Sequence, residues 1–101
     1  MRQVHYVGRA GCGMCEDIME HVVAPLSERY PGHVTAHFGW DSDMERINRR
    51  KPITHVPLFV VEHGGEEEFR FSGRLTLGEL EEIVTCDAEA LALGDVLAVV
   101  P

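Results

Sequence analysis

Positive charge is scarce in this 101-residue chain: nine Lys and Arg stand against 17 Asp and Glu, for a formal net charge of −8. A general nucleic-acid binder needs an electropositive footprint to displace counterions, so the balance argues against that class. The one basic cluster, Arg46-Ile47-Asn48-Arg49-Arg50-Lys51, reads as the solvated face of a helix. No apolar run is long enough to span a bilayer, so no membrane partner is expected. The chain enters a strand-like run at once, Gln3-Val4-His5-Tyr6-Val7, which leaves no room for a signal peptide and points to a reducing cytoplasm. There is no internal repeat and no low-complexity linker. Cysteine is sparse as well, with three residues and a single Cys-x-x-Cys pair. At 45% apolar and 26% charged residues, the composition is that of a globular domain that builds its core without staples. In a reducing compartment a closely spaced cysteine pair is then catalytic or metal-binding rather than structural.

Hydrophobic periodicity supplies the elements. Val4 to Val7 reads as a buried strand, and Gly8-Arg9-Ala10-Gly11 as the loop leaving it. Cys15, Ile18, Met19, Val22, Val23 and Leu26 recur at steps of three and four and draw one apolar helical stripe. Pro25 lies inside that stripe and predicts a kink or break. Val34, Ala36 and Phe38 alternate with Thr35 and His37 as a second strand. Ser42-Asp43-Met44-Glu45 fits a capping box opening a short helix that Pro52 closes. Leu58-Phe59-Val60-Val61 is the continuous run of a central strand covered on both faces. His63-Gly64-Gly65 is turn chemistry, and Glu68 to Phe71 returns as the hairpin partner. Thr76-Leu77-Gly78-Glu79 is a second capping box, with Leu77, Leu80, Ile83 and Val84 as the stripe of the last helix. The first strand–helix–strand unit implies a parallel pair, and the hairpin adds antiparallel strands, so a mixed sheet with helices on its faces is expected.

Cys12-Gly13-Met14-Cys15 falls where the first helix begins, directly after a strand and loop. Free amide donors and the positive end of a helix favour thiolate over thiol, and the thiolate is the attacking species. Three residues of separation bring the second sulfur within reach, so it resolves a mixed disulfide. Cys12 is therefore expected to be the exposed nucleophile, and Cys15, which begins the apolar stripe, the buried resolving thiol. Arg9 would stabilise the thiolate, while Glu16 and Asp17 would oppose it, leaving the Cys12 pKa only moderately lowered.

This strand–loop–Cys12-Gly13-Met14-Cys15–helix start resembles the active site of the thioredoxin and glutaredoxin superfamily. His55-Val56-Pro57 resembles the family's cis-proline segment, and the hairpin followed by Phe71-Ser72-Gly73 is similar to its closing hairpin and glycine. The resemblance covers roughly residues 3–84 and lacks the extra N-terminal strand and helix of full thioredoxins, an outline closer to glutaredoxins. It implies an α/β thioredoxin-like fold, βαβ–α–ββα, with a mixed four-stranded sheet and helices on both faces. The activity implied is dithiol–disulfide exchange on protein disulfides or glutathione mixed disulfides. The redox-active disulfide itself carries the electrons and no bound cofactor is needed, so a flavoprotein reductase or glutathione acts as donor. Arg9, Gly13, Met14, His55, Val56, cis-Pro57 and Gly73 are the implied substrate-binding positions. The sequence departs from the thioredoxin pattern at Gly11, at Gly13-Met14, and at Tyr6, where thioredoxins have Trp, Gly-Pro and a buried acid. Its Gly73-Arg74-Leu75-Thr76 matches the glutathione clamp only in part, though Arg9, Arg49 and Lys51 offer cations for glutathione carboxylates.

Five of the six histidines, His5, His21, His33, His37 and His63, are expected to play structural or solvated roles. His55 is set apart, because beside the proline it is placed to tune the thiolate or contact substrate. Cys86 reads as a small, half-buried hydrophobe. The rival from another class is a zinc or iron–sulfur module built on the same Cys-x-x-Cys pair. Residues 1–86 form the expected domain. Residues 87–101 form an apolar extension packed on it or at a dimer contact, giving a monomer or weak homodimer.

Overall fold

Alternate residues of β1 (Gln3–Val7) point to two different cores, and this alternation organises the whole architecture. The computed structural model describes residues 1–86, so the extension 87–101 lies outside the described residues. β1 is followed by α1 (Gly13–Ile18), a π-helical stretch (Met19–Val23) and α2 (Ala24–Arg29), which succeed one another without a break. β2 (Val34–His37), α3 (Ser42–Arg50), β3 (Leu58–His63), β4 (Glu66–Ser72) and α4 (Leu77–Thr85) complete the order. The four strands lie in the order β2-β1-β3-β4. β1 and β2 are parallel, and the β1–β3 and β3–β4 pairs are antiparallel. No described helix is long and apolar enough to cross a membrane.

Val4, Tyr6, Phe59 and Val61 pack with Ile18, Val23 and Leu26 below one face, joined by Leu80, Ile83 and Val84 of α4. Val7, Leu58 and Val60 meet Met44 and Ile47 of α3 on the other. β3 lies inside the sheet, and its first five residues are buried. This is the reason for its uninterrupted apolar run. Gly64 and Gly65 turn the hairpin with positive φ angles of 62° and 84°, a region that suits glycine. Arg2 is fully buried and binds Glu68 and the Cys86 carbonyl, tying the start of the domain to the end of α4.

Two local expectations are corrected, and a third, the kink or break at Pro25, is narrowed to a local widening of the helix. Pro25 does not break the helix: the turn before it widens to the π form, which leaves room for a ring that lacks an amide hydrogen. The cap of α3 is Asp41 rather than Ser42, its carboxylate accepting the Met44 amide at 2.8 Å. Asp caps as well as Ser does, and Asp41 is also held by His37 at 2.6 Å. Phe38 does not continue the inward alternation, because β2 ends at His37 and Phe38 stands 37% exposed. The Thr76 capping box is present with both reciprocal hydrogen bonds.

Candidate active site

The C-terminal residue of β1, Val7, pairs with Leu58 at the start of β3. The loop 8–11 and the segment 55–57 therefore leave the sheet at the same end. The loop tightens where the Cys12 amide donates to the Arg9 carbonyl at 3.1 Å, and Cys12 then caps α1 in extended conformation. Its Sγ accepts the Cys15 amide at 3.2 Å. The two cysteines are joined in a disulfide with Cα atoms 5.2 Å apart, an ordinary span for that bond. They are unequal: Cys15 is 0% exposed, whereas Cys12 is half-buried. Gly13 and Met14 are exposed beside them, Met14 at 44%.

Charge around the pair differs from the expected balance. Arg74 of the segment after β4 donates to Asp17 at 2.8 Å and holds that carboxyl below its ordinary range. One of the two acids set against the Cys12 thiolate thus carries its own cation. Glu16 accepts the Gly11 amide at 3.2 Å and so braces the loop. Beneath the pair, the Tyr6 hydroxyl donates to the Cys15 carbonyl at 2.9 Å. Burial pushes this phenol up to about 12, with only a smaller opposing effect from Arg74. At neutral pH it stays protonated, so it orients the Cys15 backbone and does not serve as a proton acceptor.

The Val56–Pro57 peptide is cis, and Pro57 is buried. The Pro57 carbonyl accepts the Gly73 amide at 3.3 Å and the Ser72 hydroxyl at 3.1 Å, which joins two of the positions singled out in the sequence. Arg9, His55 and Val56 come together on an open cleft of about 490 Å³. Arg49 does not join them, since it faces Glu45 at 3.3 Å. Lys51 lines a smaller cleft of about 190 Å³ that it shares with His55.

The aromatic cleft residues Phe38 and Trp40 were not assigned to the site from the sequence. Trp40 is 65% exposed. The Phe38 ring lies over Gly8, where a Cβ would meet it at 2.7 Å, so glycine permits this approach. The available signal was a single Trp between Gly39 and Asp41, in a segment assigned to no element. Among the described residues, no three-membered group of metal-ligating side chains includes Cys12 or Cys15.

No family model matches this chain, and no curated protein matches its sequence. Solved structures do match its fold. Spinach chloroplast thioredoxin f aligns at a TM-score of 0.61 with 18% identity, covering 81% of this chain and 72% of that one. The reduced thioredoxin pre-protein of Schistosoma mansoni aligns at 0.59 with 24% identity, covering 82% and 75%. Thioredoxin f2, solved in complex with ferredoxin:thioredoxin reductase, aligns at 0.55 with 21% identity, covering 71% and 64%. The expected thioredoxin-like fold is the fold observed.

Proposed function

We propose that this chain is a thiol–disulfide oxidoreductase that reduces protein disulfides through Cys12 and Cys15. The observation that carries this reading is the asymmetry of the pair: a half-buried cysteine at a helix start, bonded to a wholly buried one. In the reduced protein the Cys15 amide and the helix start favour the Cys12 thiolate. That thiolate attacks one sulfur of the substrate disulfide. A Cys12–substrate bond forms, and the other substrate sulfur leaves as a thiolate that takes up a proton. Cys15 then gives up its proton and attacks the Cys12 sulfur. The Cys12–Cys15 disulfide forms, the second substrate thiol is released, and two electrons have passed to the substrate.

The cleft shares Gly8 and Arg9 of the loop that runs into Cys12, and although neither cysteine lines it, it suits an extended peptide around a disulfide. Phe38, Trp40 and Val56 offer apolar contact, and Arg9 and His55 offer hydrogen bonding and charge. Gly13, Met14, Pro57 and Gly73 complete the proposed substrate surface. A flavoprotein reductase is one class of electron donor, and the similar thioredoxin f2 was solved in complex with a reductase. Glutathione, with its carboxylates held by Arg9 or Lys51, is the other, in keeping with the glutaredoxin-like outline. A reducing cytoplasm suits either donor.

The test is redox equilibration of the purified protein against a glutathione series, with cysteine states read by mass spectrometry. A reversible two-electron couple on Cys12 and Cys15 is expected. Cys12→Ser abolishes turnover, and Cys15→Ser accumulates a mixed disulfide through Cys12. If the trapped species forms in Cys12→Ser instead, the two roles are reversed. Thiols that react only after a chelator is added would transfer the pair to the zinc or iron–sulfur module.

A further inference from the structure

On the sheet face opposite the Tyr6 core, two histidines distant in sequence stand ring to ring. His5 of β1 and His37 of β2 are 5% and 4% exposed, and His5 Nδ1 lies 2.9 Å from His37 Nε2. Each ring's outer nitrogen meets a carboxylate: His5 Nε2 is 3.0 Å from Glu62, and His37 Nδ1 is 2.6 Å from Asp41. Both carboxylates are ionised. Burial raises the Glu62 carboxyl, but Arg46 and Arg50 outweigh it and bring it to about 2. The Met44 amide and then His37 lower that of Asp41. An ionised carboxylate only accepts, so each claims the N–H of the ring it faces. The two inner nitrogens are then left as opposed lone pairs in a nearly dry site. Turning either proton inward would instead set a bare nitrogen against a carboxylate. Something positive belongs between them, either a proton or a metal ion.

We infer that His5, His37 and Asp43 form a binding site for a divalent cation of the zinc type, distinct from the cysteine pair. One donor atom from each of the three lies within 4.8 Å of the others. Two imidazole nitrogens at zinc–ligand distance and tetrahedral angle sit about 3.3 Å apart. Here the rings meet nearly end-on, with nitrogens 2.9 Å and centroids 5.1 Å apart, so binding an ion requires both rings to turn as well as to open. Two nitrogens and one oxygen are a donor set for zinc, cobalt or nickel rather than for calcium or magnesium. Outer carboxylates that orient ligating imidazoles, here Glu62 and Asp41, are the usual second layer of such a centre. The charge around the pair calls for a positive species between the rings. The three carboxylates Asp41, Asp43 and Glu62 outnumber the guanidiniums of Arg46 and Arg50, leaving one negative charge. Asp43 is 43% exposed and His37 borders the open cleft, so an ion has a way in. An ion held here fastens both ends of the segment 38–40 that walls the cleft.

The test is titration of the full chain with Co²⁺ and then Zn²⁺, with Cys12 and Cys15 kept oxidised so that their sulfurs cannot compete. Visible cobalt bands are expected at one equivalent, without a sulfur-to-cobalt charge-transfer band, and zinc displaces them. Asp41→Asn keeps a capping side chain but loses the charge behind His37, and it weakens binding about 10- to 100-fold. His5→Gln abolishes binding, with circular dichroism confirming that it folds. No binding by the oxidised protein overturns the inference, as does a sulfur band or an affinity unmoved by Asp41→Asn. A proton between the inner nitrogens that zinc does not displace, seen by ¹⁵N NMR, overturns it as well.

Discussion

The two faces of the sheet are made from alternate residues of the same strands, yet their interiors differ in kind. Beneath Val4, Tyr6, Phe59 and Val61 the packing is almost wholly apolar, with Tyr6 spending its one polar group on the Cys15 carbonyl. Beneath His5, His37 and Glu62 a chain of hydrogen bonds runs from Asp41 through both imidazoles to Arg46 and Arg50. The first face supports the cysteine helix by dispersion and burial, and the buried charge at its α4 end, Arg2, is paired with Glu68. The second packs Met44 and Ile47 of α3 on Val7, Leu58 and Val60 and adds directional, charged contacts that fail when one partner is removed. Rigidity under the redox pair and polarity behind the cleft are thus separated across a single layer of backbone.

Substitution within the apolar face has the largest expected effect on stability. The Phe59 ring sits between those of Tyr6 and Phe71, at centroid distances of 4.9 and 6.5 Å. Phe59→Ala is expected to cost about 4 kcal/mol in urea unfolding. A cost under about 2 kcal/mol would mean that this face repacks and is not the rigid support described. On the polar face Glu62→Gln is expected to cost about 2 kcal/mol, since it removes a buried anion shared by His5, Arg46 and Arg50, while the two partly exposed guanidiniums keep Asp43 and Glu67. If the variant is as stable as the parent, the network contributes organisation rather than stability.

The faces should also fail at opposite ends of the pH scale. Glu62 has its carboxyl depressed from 4.5 to about 2, so its contribution is full above 4.5 and lost as pH falls through 2. Tyr6 has its phenol raised from 10.0 to about 12, so the unfolded chain ionises first and stability falls as pH rises from 10 toward 12. Thermal unfolding across pH should show both limbs. Tyr6→Phe should flatten the alkaline limb alone, and Glu62→Gln the acid limb alone. A variant that alters both limbs would show that the faces are coupled.

Helix caps provide the smallest contrast. Thr76→Ala removes a cap that serves only α4, at about 1 kcal/mol. Asp41→Ala removes a cap that also binds His37, so it should cost more, up to about 2 kcal/mol. Equal losses would mean that the Asp41–His37 contact adds nothing to the cap.

Features that depend on neighbours a few residues apart were legible in the chain alone. These include the Cys12–Cys15 spacing at a helix start, the Thr76 capping box, the glycine turn at 64–65 and the buried run of β3. Each follows from helix or strand period and from local hydrogen bonding, which operate within one turn or one hairpin. Even Pro25 announced a disturbance, although not that widening one turn would absorb it. The fold class followed because a parallel strand–helix–strand unit and a hairpin leave few ways to share one sheet. The pairing of His5 with His37, 32 residues on, and with Glu62, 57 residues on, has no local signature. Polar residues in a strand read as solvent-facing until a helix covers them, and α3 covers these. The same holds for Arg74 neutralising Asp17 and for Phe38 and Trp40 turning toward the cleft. Chemistry along the chain sets which groups are available, and which of them meet depends on strand register and helix packing that close only when the whole domain folds.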